Sequence, residues 1–231
     1  MLKQAITIES IPAIIWGATS DKVYIFVHGK KSKKEEAEGF AEIAERKGYQ
    51  VVSFDLPEHG ERKNEAYKCT VQNGVYDLRL IGHFVTGRWE NISLFGSSLG
   101  VYFSLVAYQD LKFSKCLFLS PILDMERLIQ NMMNWFNVSE DLLKENQELP
   151  IPMGETLSWS YYAYVKGTPI TKWNNPTAIF YGANDNLTER FTVDNFVKKF
   201  HCDLEILQSG EHYFHTKEQI DAVNKWLMKN V

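Results

Sequence analysis

Short apolar runs alternate along this chain with longer stretches whose apolar positions recur every three or four residues, the pattern of strands and amphipathic helices in turn. Residues 6–9 and 13–16 predict an antiparallel strand pair turning around Pro12. Residues 23–27, Val-Tyr-Ile-Phe-Val, form a continuous apolar run of the kind buried on both faces of a sheet. Over residues 35–47, Phe40, Ile43 and Ala44 fall on one helical face and Gly48 stops the helix. A strand over 51–54 follows, then a helix over 71–85 with Val75, Leu78 and Ile81 on one side. Next come a strand over 92–95, a helix over 99–108 and a strand over 116–119 that ends at Ser120-Pro121. The closing part predicts strands over 177–181 and 204–207 and helices over 188–200 and 217–228. Regular alternation of this type predicts an α/β protein with a mostly parallel central sheet and helices on both faces.

The alternation is interrupted once. About fifty residues, at roughly 122–175, separate the strand at 116–119 from the strand at 177–181, against about 2–6 for a usual βα connection. The stretch predicts a small helical insertion within a single domain spanning 1–231. It is rich in methionine and aromatic residues, among them Met125, Met132, Met133, Trp135, Trp159, Tyr162 and Trp173. These side chains either form a small core of their own or provide an adaptable apolar pocket.

Charge and composition narrow the function. With 25 basic and 29 acidic residues the net charge is −4, which lacks the basic footprint of a nucleic-acid binder. No run reaches the ~18 apolar residues of a membrane span, and the first residues lack the apolar core of a signal peptide. The cysteines, Cys69, Cys116 and Cys202, are odd in number and far apart, which fits a reducing compartment better than a disulfide framework. The expectation is a cytoplasmic protein.

The chemistry centres on Gly96-Ser97-Ser98-Leu99-Gly100, between the strand at 92–95 and the helix at 99–108. A chain reversing sharply at Ser98 strains its backbone and leaves room only for glycine two positions before and after. Gly96 and Gly100 occupy those positions, whereas the corresponding neighbours of Ser97 are Phe95 and Leu99. Read alone, the segment also has the form of a tight turn or a phosphate-binding loop. A serine nucleophile also needs a base and a carboxylate to orient that base. Two loops after late strands offer them: Gly182-Ala183-Asn184-Asp185 and Gly210-Glu211-His212-Tyr213-Phe214.

With serine, acid and histidine in this order, the chain resembles the α/β-hydrolase family over essentially its whole length. His28-Gly29 is similar to the family's oxyanion-loop signature, and Asp55-Leu56-Pro57-Glu58-His59-Gly60 resembles its Asp-x-Pro-Gly-His-Gly loop, with Glu58 in place of a glycine. The resemblance implies Ser98 as nucleophile, His212 as general base and Asp185 as orienting acid. It implies that the backbone amides of Lys30 and Leu99 form the oxyanion hole and that the insertion caps the site. It further implies a serine hydrolase of a small carboxylic ester, working through an acyl-enzyme without metal or cofactor. Thioesterase, acyl-peptidase or amidase activity on the same triad, and a non-catalytic binding protein on this scaffold, are the alternatives.

Other residues compete for these roles. His215 lies three positions after His212 and reads as a surface or helix-start histidine; the pair has no further ligands to make a metal site. Asp124 is the second position from which a carboxylate could reach the histidine. His28 reads as a loop-ordering residue. The run Lys30-Lys31-Ser32-Lys33-Lys34 is either a solvated helix approach or a cluster that attracts an anionic substrate.

Overall fold

The computed structural model describes the whole chain, Met1–Val231, and contains two compact units: residues Met1–Leu123 with Lys172–Val231, and residues Asp124–Thr171.

In the first unit, β1 (Lys3–Ile8) and β2 (Ile11–Trp16) form an antiparallel hairpin. Its turn lies at Glu9-Ser10, with Glu9 at φ 54°, and not around Pro12. Pro12 instead pairs with Thr7 near the start of β2, a place where a missing N–H is tolerated, and its carbonyl accepts the Asp55 N–H at 3.1 Å. The fully apolar run becomes β3 (Lys22–Val27). A single 3₁₀ turn, Lys34–Ala37, precedes α1 (Glu38–Arg46), so the helix expected from residue 35 begins three residues later. β4 (Gln50–Phe54), α2 (Val71–Thr86), β5 (Asn91–Ser97), α3 (Leu99–Ala107) and β6 (Cys116–Leu119) follow.

The second unit holds α4 (Met125–Trp135), α5 (Glu140–Asn146), an antiparallel hairpin of β7 (Glu148–Ile151) and β8 (Glu155–Ser158), and α6 (Trp159–Gly167). The hairpin was not expected in an insertion read as helical. Its strands have only four residues each, and Pro150 within the first hides its period. Met125, Met133 and Tyr162 are buried, whereas Trp135 and Met153 are exposed. Trp173 belongs to the first unit, where it packs on Phe113 and Phe118 and donates its indole N–H to Thr177 Oγ1 at 2.8 Å.

The chain closes with β9 (Thr177–Gly182), α7 (Arg190–Phe200), β10 (Asp203–Leu207) and α8 (Lys217–Asn230), the last opened by a capping box between Thr216 and Gln219. The eight-stranded sheet has the order β1-β2-β4-β3-β5-β6-β9-β10. Every pairing from β4 to β10 is parallel. On one face Tyr24, Phe26, Phe95 and Phe180 pack with Phe40 of α1 and Trp226 of α8. The chain leaves β3 in one direction to form β4 and returns past β3 to form β5. Right-handed crossovers in opposite directions put α1 and α2 on opposite faces. The reversal of strand order leaves a crevice at the carboxyl ends of β3 and β5, where ligands bind in open α/β sheets. No helix is long and apolar enough to cross a membrane.

Candidate active site

Ser98 sits between β5 and α3 at φ 48° and ψ −116°, a left-handed-side conformation that side chains seldom adopt. Close packing holds it there. A Cβ on Gly100 would lie 2.5 Å from the carbonyl oxygens of Val27 and His28, and one on Gly96 would lie 3.0 Å from Val101 Cγ2. Gly100 is therefore required by contact and Gly96 is tightly packed, and the first turn of α3 presses directly on the end of β3.

The acid and histidine loops meet in a second close approach. A Cβ on Gly182 would lie 2.5 Å from the Gly210 carbonyl, and the Asn184 N–H donates to that carbonyl at 2.8 Å. Asp185, after β9, and His212, after β10, are thereby brought side by side with both side chains buried. His212 Nδ1–H donates to Asp185 Oδ2 at 2.7 Å. Because a carboxylate only accepts, Nδ1 carries the proton and Nε2 is left as acceptor. Ser98 Oγ stands 2.8 Å from Nε2 and donates to it. The structure thus joins Ser98, His212 and Asp185 in one hydrogen-bonded line.

Asp185 Oδ1 is also held, accepting the N–H groups of Leu187 at 2.8 Å and Thr188 at 2.9 Å. Thr188 is fixed in turn: its Oγ1 donates to the Pro121 carbonyl at 3.0 Å and its own carbonyl accepts the Tyr181 hydroxyl at 2.8 Å. These bonds explain why α7 starts at Arg190 and not at residue 188 as expected. Sequence reasoning missed Thr188; the Asp-Asn-Leu-Thr run, with an acid two and three residues before the amides it caps, was the available signal.

On the other side of Ser98 lies the His28-Gly29 loop. A Cβ on Gly29 would stand 3.3 Å from Ser98 Cβ, so the peptide leading to Lys30 passes next to the serine. Leu99 is the first residue of α3, and its N–H has no acceptor within the helix. His28 is buried, accepts the Leu56 N–H through Nε2 at 3.1 Å and donates Nδ1–H to the Gly29 carbonyl at 2.7 Å. Burial pushes its pKa down to about 4. It orders the loop, in the manner expected.

Lys34 overturns both readings of the lysine run at its own position. It is buried, with Nζ 2.8 Å from Asp55 Oδ2 and 2.6 Å from Glu61 Oε1, and its N–H donates to Asp55 Oδ1 at 2.9 Å. Burial alone would push the ammonium pKa down, but the hydrogen bonds with Asp55, Glu61 and Glu35 carry it upward. Lys34 is neither solvated nor available to attract a substrate. Arg62 secures the same loop, donating to the Asp55 carbonyl at 3.1 Å and to Asp77 Oδ2 at 2.6 Å. Glu58, in place of the family's glycine, takes φ 62° and uses its carboxylate to accept the Cys69 N–H at 2.7 Å and the Lys68 ammonium at 2.9 Å.

The competitors make other hydrogen bonds. Asp124 caps α4, accepting the Arg127 N–H at 2.9 Å. His215 is exposed and bonded to the Tyr213 carbonyl at 3.0 Å. No three His, Cys, Asp or Glu side chains form a metal-binding group.

No protein-family profile matches the chain, and no curated protein matches it in sequence. Solved structures do. Est1E from Butyrivibrio proteoclasticus, with ferulic acid bound, superposes at a TM-score of 0.75 with 18% identity, covering 98% of each chain. Mouse alpha/beta hydrolase domain-containing protein 10 gives 0.78 and 16% over 99% of this chain and 98% of its own. The Pyrococcus furiosus esterase Pf2001 gives 0.70 and 17% over 99% and 89%. At such low identity the likeness is one of architecture, and it agrees with the sheet order and the strand-end loops above: this chain has the α/β-hydrolase fold.

Proposed function

We propose that this protein is a serine hydrolase that cleaves a small carboxylic ester through an acyl-enzyme. The observation that carries the reading is the continuous line of hydrogen bonds, 2.8 Å from Ser98 Oγ to His212 Nε2 and 2.7 Å from His212 Nδ1 to Asp185 Oδ2. His212 takes the Ser98 proton as Oγ attacks the ester carbonyl and gives it to the departing alcohol. The same imidazole then activates the water that releases the acid. Asp185 holds the tautomer this requires and stabilises the imidazolium. The amides of Lys30 and Leu99 are the donors for the oxyanion, where one such bond contributes about 3–4 kcal/mol. Each step uses a group of this chain. That the Pyrococcus furiosus neighbour is an esterase favours ester chemistry here as well.

The test combines labelling with turnover. A fluorophosphonate probe is expected to modify Ser98 and to leave Ser98→Ala untouched, as read by peptide mass. A panel of 4-nitrophenyl esters of rising chain length, with matched thioesters and aminoacyl amides, is expected to show turnover that falls by about 10³-fold or more in Ser98→Ala, with esters the fastest class. Unlabelled, folded wild-type protein would support the non-catalytic alternative.

A further inference from the structure

The histidine loop carries an aromatic side chain that the hydrolytic cycle leaves unused. Tyr213 lies between buried His212 and half-buried Phe214, whose ring packs 5.3 Å from Phe180. The Tyr213 carbonyl is held by His215 Nδ1–H at 3.0 Å. Its backbone is therefore anchored on both sides and at its own carbonyl. The residue is 58% exposed, yet its ring has a partner: it stands edge-to-face with the His212 imidazole, centroids 5.1 Å apart at 84°. A single exposed aromatic is ordinary on a protein surface. Tyr213 is set apart by its contact with the imidazole that stands 2.8 Å from Ser98 Oγ.

The chemistry says which part of the substrate this is. In acylation the bond from Ser98 Oγ to the carbonyl carbon forms, the bond from that carbon to the alcohol oxygen breaks, and the Ser98 proton passes through His212 Nε2 to the alcohol oxygen. The alcohol portion must therefore sit within hydrogen-bond reach of the imidazole, while the acyl portion stays attached at the elbow. In deacylation water replaces the alcohol, giving its hydroxyl to the acid and its proton, through His212, back to Ser98. We infer that Tyr213 is a specificity-determining residue for the leaving group, selecting esters of aromatic alcohols by ring-to-ring contact. The inference rests on the serine-hydrolase reading above and adds the substrate's alcohol side to it.

A contact made only while the alcohol is attached changes acylation and leaves deacylation alone. Benzyl acetate and cyclohexylmethyl acetate share one acyl group and one carbon skeleton and differ in aromaticity. The intrinsic difference in reactivity between the two alcohols is common to every variant, so the change in the ratio of their kcat/KM values on substitution isolates the ring contact. Tyr213→Leu is expected to lower the benzyl-to-cyclohexylmethyl ratio by about 3- to 10-fold from the wild-type value, the range of an aromatic pair. Tyr213→Phe retains the wild-type ratio. The deacylation rate of the acetyl-enzyme, read after the burst with 4-nitrophenyl acetate, stays within about twofold in all three. An unchanged ratio in Tyr213→Leu overturns the assignment while the hydrolase reading stands. So does a deacylation rate that falls with acylation, since Tyr213 would then merely seat the imidazole. Absence of any Ser98-dependent turnover of either ester removes both.

Discussion

His28 fixes the direction of a neighbouring backbone amide, the one at Lys30 proposed above as an oxyanion donor. The Gly29 carbonyl that accepts its Nδ1–H shares one planar trans peptide with the Lys30 N–H, so fixing the oxygen fixes the direction of the amide. Both ring nitrogens are engaged only in the neutral form, with Nε2 accepting from Leu56. The folded pKa of about 4 lies below the ordinary 6.5. Between these values the unfolded chain binds the extra proton, so this group's contribution is complete above pH 6.5 and falls as pH drops toward 4, by up to about 3 kcal/mol. Urea unfolding at pH 7.5 and 4.5 is expected to show a smaller acid loss in His28→Gln than in wild type; equal losses would acquit His28. Asp185 supports a complementary prediction. In Asp185→Asn the amide oxygen can still accept from Leu187 and Thr188, but the NH₂ then faces His212 Nδ1 and drives the proton to Nε2. Single-turnover acylation is expected to slow by about 10³- to 10⁴-fold with an unchanged melting temperature.

Among the elements, the turn that opens α1 and the loop after β4 are tied to each other by Lys34 and Asp55. Both side chains are almost wholly out of water, so removing the lysine leaves the Asp55 carboxylate buried with no ammonium beside it and only backbone N–H groups to accept from. Lys34→Met is expected to cost about 3–5 kcal/mol, a melting temperature lower by on the order of 10 °C. Lys34→Met with Asp55→Asn recovers part of this in a double-mutant cycle, while Lys31→Gln and Lys33→Gln, at exposed positions, stay within about 0.5 kcal/mol. The sequence presents these lysines as one run because composition carries no depth; only the placement of Asp55 beside the turn separates Lys34 from the others. The same contrast runs through the fold. Residues 116–119 form a strand with the bounds their apolar run predicts, since continuous burial needs no distant partner to be recognised. Ser98, Asp185 and His212 stand out because each follows a strand and carries a nearby glycine that close packing demands. Thr188 was hidden because its hydroxyl acts on the carbonyl of Pro121, far away in sequence, and Arg62 because it joins the Asp55 carbonyl to Asp77 of another element. The β7–β8 hairpin was hidden by its brevity.

For the molecule as a whole, the sheet order separates what builds the site from what extends it. Ser98, the His28-Gly29 loop, Asp185 and His212 follow β5, β3, β9 and β10, which with β6 and β4 make the parallel part of the sheet. The antiparallel hairpin lies at one edge, and β1, the outermost strand, is separated from β5 by β2, β4 and β3. Of its six residues only Ile8 is buried. Removing residues 2–8 therefore sacrifices one ladder and little core, while β2 keeps its pairing with β4 from Ala13 to Trp16. The truncated protein is expected to melt several degrees lower and, with β2 as a newly exposed edge, to aggregate more readily. Its Ser98 should still react with a fluorophosphonate at a rate within about threefold of the full chain, since none of the hydrogen bonds along Ser98, His212 and Asp185 passes through β1. Reaction rate by intact mass, followed beside the melting curve, decides the matter. A truncated protein that melts cooperatively but no longer labels would mean that the geometry at Ser98 depends on the far edge of the sheet, and that the strand-end loops alone do not hold the serine and histidine together.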